Sequence, residues 1–118
     1  MDVLHVAVDV TDIETTSGFY EDALGLDFTR EFTVEGTYNY CVGGESAAEI
    51  QFCEVDAPVE PAGINHLSVG VSDLDATVET ATEEWNAEIE QGPFAIDDET
   101  RAAFVTDPEG YSVELIEQ

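Results

Sequence analysis

Apolar and polar residues alternate with a period of two in two stretches of the chain, LHVAVDV from Leu4 and HLSVGV from His66. Such alternation is the pattern of a strand with one buried face. In the first, Leu4, Val6, Val8 and Val10 stand against His5, Ala7 and Asp9; in the second, Leu67, Val69 and Val71 stand against His66, Ser68 and Gly70. A strand is predicted over 3–10 and a matching one from 66. After each, the period changes to that of a helix. Ile13, Phe19 and Leu24 fall on one apolar stripe, and Thr11 with Glu14 is spaced as a capping box. Ser72 and Asp75 repeat that spacing before a second helix, which runs to Trp85. Gly25 and Asn86 follow the two helices, and both residue types tolerate the left-handed backbone of a helix end.

The two stretches are copies. Counting from His5 and His66, five of twelve positions are identical: the histidines, Val8/Val69, Val10/Val71, Asp12/Asp73 and Thr16/Thr77. Thr11/Ser72, Ile13/Leu74 and Glu14/Asp75 are like-for-like exchanges, and Gly25/Asn86 keeps the same offset of 61 residues. Three short strands are predicted after each helix, over 26–34, 37–42 and 48–55, then 87–91, 102–106 and 112–116. TDPEGY, from Thr106, has proline and glycine where a turn wants them. DAPVEPAG, residues 56–63, reads as a linker. The predicted architecture is α+β: two tandem βαβββ modules, 1–55 and 64–118, in one domain.

Charge changes the picture of where such a chain works. Twenty-eight acids face two arginines, Arg30 and Arg101, for a net charge of −26 on 118 residues. That charge self-repels at low ionic strength, whereas at molar salt the Debye length falls to about 3 Å. The acids are spread evenly, unlike those of an acidic tail or a nucleic-acid mimic. A salt-adapted cytoplasmic protein is expected, with neither nucleic acid nor membrane as partner, since basic residues to hold phosphates are missing. No signal peptide or bilayer-length apolar run is seen. Cys41 and Cys53 are expected as reduced packing residues.

Aligning EIQFCE (residues 49–54) with SVELIE (112–117) pairs Gln51 with Glu114. Strand alternation puts His5, Gln51, His66 and Glu114 each opposite an apolar row, hence on faces able to carry chemistry. Two imidazoles, a carboxylate and an amide oxygen suit a divalent first-row metal. Glu49 shares the face of Gln51 and is the rival donor.

Over nearly its whole length, in HVAVDVTDIETTSGFYEDALGL, AEIQF, NHLSVGVSDLDATVE and RAAFVTDPEGYSVELIE, the chain resembles the vicinal oxygen chelate superfamily. That superfamily includes glyoxalase I, bleomycin and fosfomycin resistance proteins, extradiol dioxygenases and methylmalonyl-CoA epimerase. The resemblance implies a curved mixed sheet around a metal cleft, with His5, Gln51, His66 and Glu114 as ligands of one divalent ion (Ni, Co, Mn, Zn or Fe). Its last segment is most like glyoxalase I. This implies a lactoylthiol lyase acting on the hemithioacetal of methylglyoxal and a small thiol, by proton abstraction and a metal-stabilised enediolate. Glu114 is then the base; Gln51 cannot be one, so catalysis is one-sided. Other activities of the superfamily remain open: a ligand-binding resistance protein, an extradiol dioxygenase or an epimerase of the methylmalonyl-CoA type. Glutathione-using glyoxalases often carry arginine four residues after the first histidine, where this chain has Asp9. Arg101, just before a second-module strand, is the candidate anion holder, and Arg30 is expected to be solvated. A small-molecule substrate and a homodimer complete the expectations.

Overall fold

The computed structural model describes residues 1–58, 60 and 63–118. The predicted linker, 56–63, includes three positions outside that set. The chain divides into two compact units, Met1–Glu60 and Pro61–Gln118.

In the first unit, β1 (His5–Val10) leads into α1 (Ile13–Gly18), a π-helical turn (Phe19–Ala23), and β2 (Asp27–Val34), β3 (Thr37–Gly43) and β4 (Glu49–Glu54). The sheet order is β1-β4-β3-β2, so β1 pairs in parallel with the last strand and the rest are antiparallel. The second unit repeats this with β5 (Leu67–Gly70), α2 (Leu74–Trp85), β6 (Ile89–Ala95), β7 (Arg101–Thr106) and β8 (Ser112–Glu117), in the order β5-β8-β7-β6. The fold is α+β, built as two four-stranded mixed sheets with their helices.

Each core lies between one sheet face and its helix. In the first unit Val8, Val10, Phe19, Tyr20, Val42 and Phe52 are buried; in the second Leu74, Val78, Ala81, Val105, Val113 and Leu115 are. Each large side chain so buried contributes about 1.5–3 kcal/mol. The apolar row predicted for the first strand is only half used. Leu4 and Val6 are exposed, and the strand starts at His5 rather than at residue 3. Likewise His66 precedes β5 instead of opening it.

The helix starts differ by one residue from the predicted capping boxes. Asp12, not Thr11, caps α1: its carboxylate accepts from the Thr15 N–H at 3.0 Å and from the Thr15 hydroxyl at 2.8 Å. Asp73 replaces Ser72 in the same way, accepting from the Ala76 N–H at 3.1 Å. A second carboxylate reaches α2 from β8, where Glu117 accepts from the Leu74 N–H at 2.7 Å. Thr11/Asp12 and Ser72/Asp73 each offer two capping residue types side by side, and in both copies the aspartate is the one that caps.

The helix ends follow the repeat. Gly25 (φ 78°) and Asn86 (φ 55°) are left-handed. Beyond them Leu26 N–H donates to Tyr20 C=O and Ala87 N–H to Ala81 C=O, each at 3.0 Å. The offset of 61 therefore holds for these backbone hydrogen bonds. β6 runs past its predicted end at 91 to Ala95, with a register shift across Gly92. Gly92 has φ 86°, and a side chain there would meet the Ala102 carbonyl oxygen at 2.8 Å, so only glycine fits.

Candidate functional site

Parallel pairing of the first strand with the last brings distant residues onto one face in each unit. In the second unit Ser68 pairs with Glu114, and Glu114 with Phe104 across β7, so these three side chains share a face. His66 joins them from the segment before β5. Its Nε2 lies 3.5 Å from Glu114 Oε1, while the Ser68 hydroxyl donates to that same oxygen at 3.2 Å. Nδ1 lies 2.7 Å from Asn65 Oδ1. An Nδ1–H donating there leaves the Nε2 lone pair facing Glu114. The ring packs edge-on against Phe104, 5.1 Å between centroids, and Phe94 stacks on Phe104 at 6.4 Å. An imidazole and a carboxylate are thus held together beside an aromatic wall.

In the first unit His5 pairs with Glu49 and Ala7 with Gln51, which puts His5, Glu49 and Gln51 on one face. The rival donors there have different surroundings. Glu49 accepts from the Thr29 hydroxyl and from Arg30 Nε at 3.2 Å. The hydroxyl first, then the guanidinium, holds its carboxyl below the usual carboxylate range. Arg30 also lies over the Phe32 ring, 5.0 Å from its centroid, so it is engaged rather than simply solvated. Gln51 instead donates from Nε2 to Asn39 Oδ1 at 3.0 Å and to Cys53 Sγ at 3.7 Å. Its amide hydrogens are committed, which leaves the carbonyl oxygen as the donor atom.

Arg101, the candidate anion holder, has a carboxylate partner of its own. It pairs with Glu117 across the sheet, on the face of Ala103 and Val105 that α2 covers, opposite Glu114. There its two terminal nitrogens meet the Asp75 carboxylate at 3.1 Å each. Alternation along β7 turns it to the face opposite Glu114. Asn39, Asn65, Ser68 and Phe104 are the site-face residues that sequence reasoning missed. Their only signal is their register beside Gln51, His66 and Glu114.

Among the described residues no three His, Cys, Asp or Glu side chains gather as a metal site. The donors stand two to a unit, and each pair can be tested for chemical fit. Two donor atoms bonded to one metal at about 2.1 Å lie about 3.0 Å apart at a right angle and about 3.4 Å apart at the tetrahedral angle. The 3.5 Å between His66 Nε2 and Glu114 Oε1 is close to that spacing. In the first unit the His5 imidazole and the oriented Gln51 carbonyl are again one nitrogen and one oxygen, donor types that suit a first-row divalent ion.

Two βαβββ units, each with one polar face opposite its helix, define a class, and residues 2–115 match the Glyoxalase/Bleomycin resistance protein/Dioxygenase superfamily. The chain belongs to that superfamily. It is 35% identical to a lactoylglutathione lyase of Haemophilus influenzae, over 99% of this chain and 93% of that one. Glyoxalase I of Zea mays superposes with a TM-score of 0.83 at 24% identity, over 98% of this chain and 44% of the maize chain, so this chain spans less than half of that protein. An antibiotic-binding protein of Streptomyces, TnmS3, superposes with a TM-score of 0.76 at 20% identity, over 99% of this chain and 95% of that one. Those two likenesses are of fold alone.

Proposed function

We propose that the protein is a divalent-metal-dependent lactoylthiol lyase of the glyoxalase I type, with His5, Gln51, His66 and Glu114 holding the metal. The observation that carries the reading is the contact of His66 Nε2 with Glu114 Oε1 at 3.5 Å, on a face with Ser68 and Phe104. The lactoylglutathione lyase relative at 35% identity supports it. The metal, when bound, supplies a Lewis acid that polarises substrate oxygens.

The chain's own residues do the rest. Glu114 takes the proton from C1 of the hemithioacetal, and the electron pair moves toward the neighbouring carbonyl. The same proton returns at C2 and the C1 hydroxyl proton passes to the C2 oxygen, so a hydroxyketone becomes a hydroxy thioester with no atom gained or lost. Ser68 steadies the carboxyl during both transfers, and Phe104 with Phe94 offers an apolar wall that limits water. The Gln51 amide is too weak a base to take the proton, which confines the transfer to the Glu114 side. Each unit offers two of the four donors. A full set needs two such faces, from one chain or from two copies, and we include a homodimer in the proposal.

Protein purified in molar potassium chloride should contain one equivalent of a divalent metal by elemental analysis. It should turn over methylglyoxal with at least one of several thiols, glutathione included. Metal without turnover on any thiol would favour a ligand-holding protein instead, and no metal uptake would sink the proposal.

A further inference from the structure

A buried amide beside Gln51 on the site face fixes which atom of Gln51 is presented. Asn39, in β3, is only 5% exposed, and its Nδ2 donates to the Thr37 backbone carbonyl at 3.0 Å. A backbone carbonyl can only accept. Asn39 therefore has one permitted orientation, with Oδ1 turned to Gln51. That oxygen in turn can only accept, so Gln51 must offer Nε2, at 3.0 Å, and turn its carbonyl the other way. One fixed backbone acceptor thus sets two side-chain amides in series.

We propose that Asn39 is a positioning residue that makes position 51 a neutral oxygen donor and disfavours a carboxylate there. The role toward the metal rests on the reading of Gln51 as a ligand. A carboxylate at 51 has no hydrogen to give Asn39 Oδ1, and the Thr37 carbonyl prevents Asn39 from turning over. Two acceptors would then face each other at hydrogen-bond distance beside a buried group, the arrangement that is hardest to tolerate away from water.

The test uses full-length protein in molar salt. Asn39→Ala, Gln51→Glu, Gln51→Ala and the Asn39→Ala/Gln51→Glu double variant are compared metal-free by thermal denaturation, then titrated with Co(II). Gln51→Glu should lower the melting temperature in the parent, and by clearly less in the Asn39→Ala background. A role of Asn39 as mere filling predicts additive losses instead. In isotope-labelled protein the Gln51 side-chain amide protons should be shifted and slow to exchange, and should lose both properties in Asn39→Ala. Co(II) affinity should fall in Asn39→Ala by about the factor seen in Gln51→Ala, or somewhat less. Additive melting losses with unchanged Gln51 amide signals would overturn the proposal. Altered amide signals with unchanged affinity in Asn39→Ala alone would overturn its role toward the metal. Unchanged affinity in Gln51→Ala as well would remove Gln51 from the ligands, a failure of the functional reading that is separate from the orientation by Asn39.

Discussion

Helix α2 runs unbroken from Leu74 to Trp85, whereas its counterpart passes from α-helix to π-helix at Phe19. The cores explain the contrast. Tyr20 and Phe52 are fully buried with ring centroids 5.1 Å apart, and the equivalent residues of the second unit are Ala81 and Leu115. The first unit buries two consecutive aromatics, Phe19 and Tyr20, where its helix turn is widest. The second has Thr80 and Ala81 in place of Phe19 and Tyr20, under a regular helix. Meanwhile the backbone devices are the same: an aspartate cap, a left-handed residue and the hydrogen bond that follows it. A repeat can thus keep its plan in hydrogen bonds while its packing and site face diverge, neutral at Gln51 and acidic at Glu114.

One property does not differ between the halves. Each carries fourteen acids and one arginine. If charge repulsion limits stability, lowering salt should unfold both units together, the largest effect expected. At about 0.1 M salt the near-UV ellipticity should be lost, and molar potassium chloride should restore it. Trp85 reports the second unit, and three of the four tyrosines, Tyr20, Tyr38 and Tyr40, report the first. Separate transitions would show that the unlike cores outweigh the like charges, and indifference to salt would contradict the salt-adapted reading.

The cores themselves can be set against each other. Phe52→Ala should cost about 3–5 kcal/mol, because an aromatic cavity is left beside Tyr20. Leu115→Ala should fall lower, within about 2–5 kcal/mol, since small neighbours can close around it. Urea denaturation in molar salt measures both; a larger loss at Leu115 would mean that the second core is the tighter one.

Much of this plan was legible in the residues. The helix ends at Gly25 and Asn86 could be placed because few residue types accept positive φ. The facing of His5, Gln51 and Glu114 followed from a period of two. What escaped depended on partners remote in sequence. β6 continues through Pro93 because it lies at the edge of its sheet, where a missing N–H breaks no ladder, and sequence does not reveal which strand is the edge. The face of Arg101 depends on its register against Glu117, which is a tertiary fact. Asn39 is set apart from other polar strand residues only by its two hydrogen bonds, to the Thr37 carbonyl and from Gln51.

The site faces give the next contrast. Glu114→Gln should lower kcat by roughly 10²-fold or more, the scale of general-base removal, while keeping much of the metal affinity. Gln51→Ala should instead weaken metal binding, with a smaller loss of turnover once metal is supplied in excess. Equal losses of kcat at saturating metal would end the one-sided mechanism. His5→Ala and His66→Ala should each abolish stoichiometric metal, and Glu49→Ala should not, because Glu49 is already held by Thr29 and Arg30.

The smallest effect concerns one threonine in two settings. Thr16 and Thr77 are equivalent in the repeat, at the same distance beyond their aspartate caps. Thr77 donates its hydroxyl to the Asp73 carbonyl at 2.8 Å on an exposed surface. Thr16 is 0% exposed, and its Oγ1 has no hydrogen-bond partner among the described residues. A buried hydroxyl without a partner forfeits about 1–3 kcal/mol of hydration, so deleting it should help. Valine has the same shape and nearly the same helix propensity as threonine, which isolates the hydroxyl. Thr16→Val should therefore raise stability by about 1 kcal/mol, whereas Thr77→Val should change it by no more than about 0.5 kcal/mol, since water can replace the lost contact. Thermal denaturation of the two variants in molar salt decides the point. A loss of stability in Thr16→Val would mean that its hydroxyl is satisfied in solution, and that the two threonines do the same work in both halves.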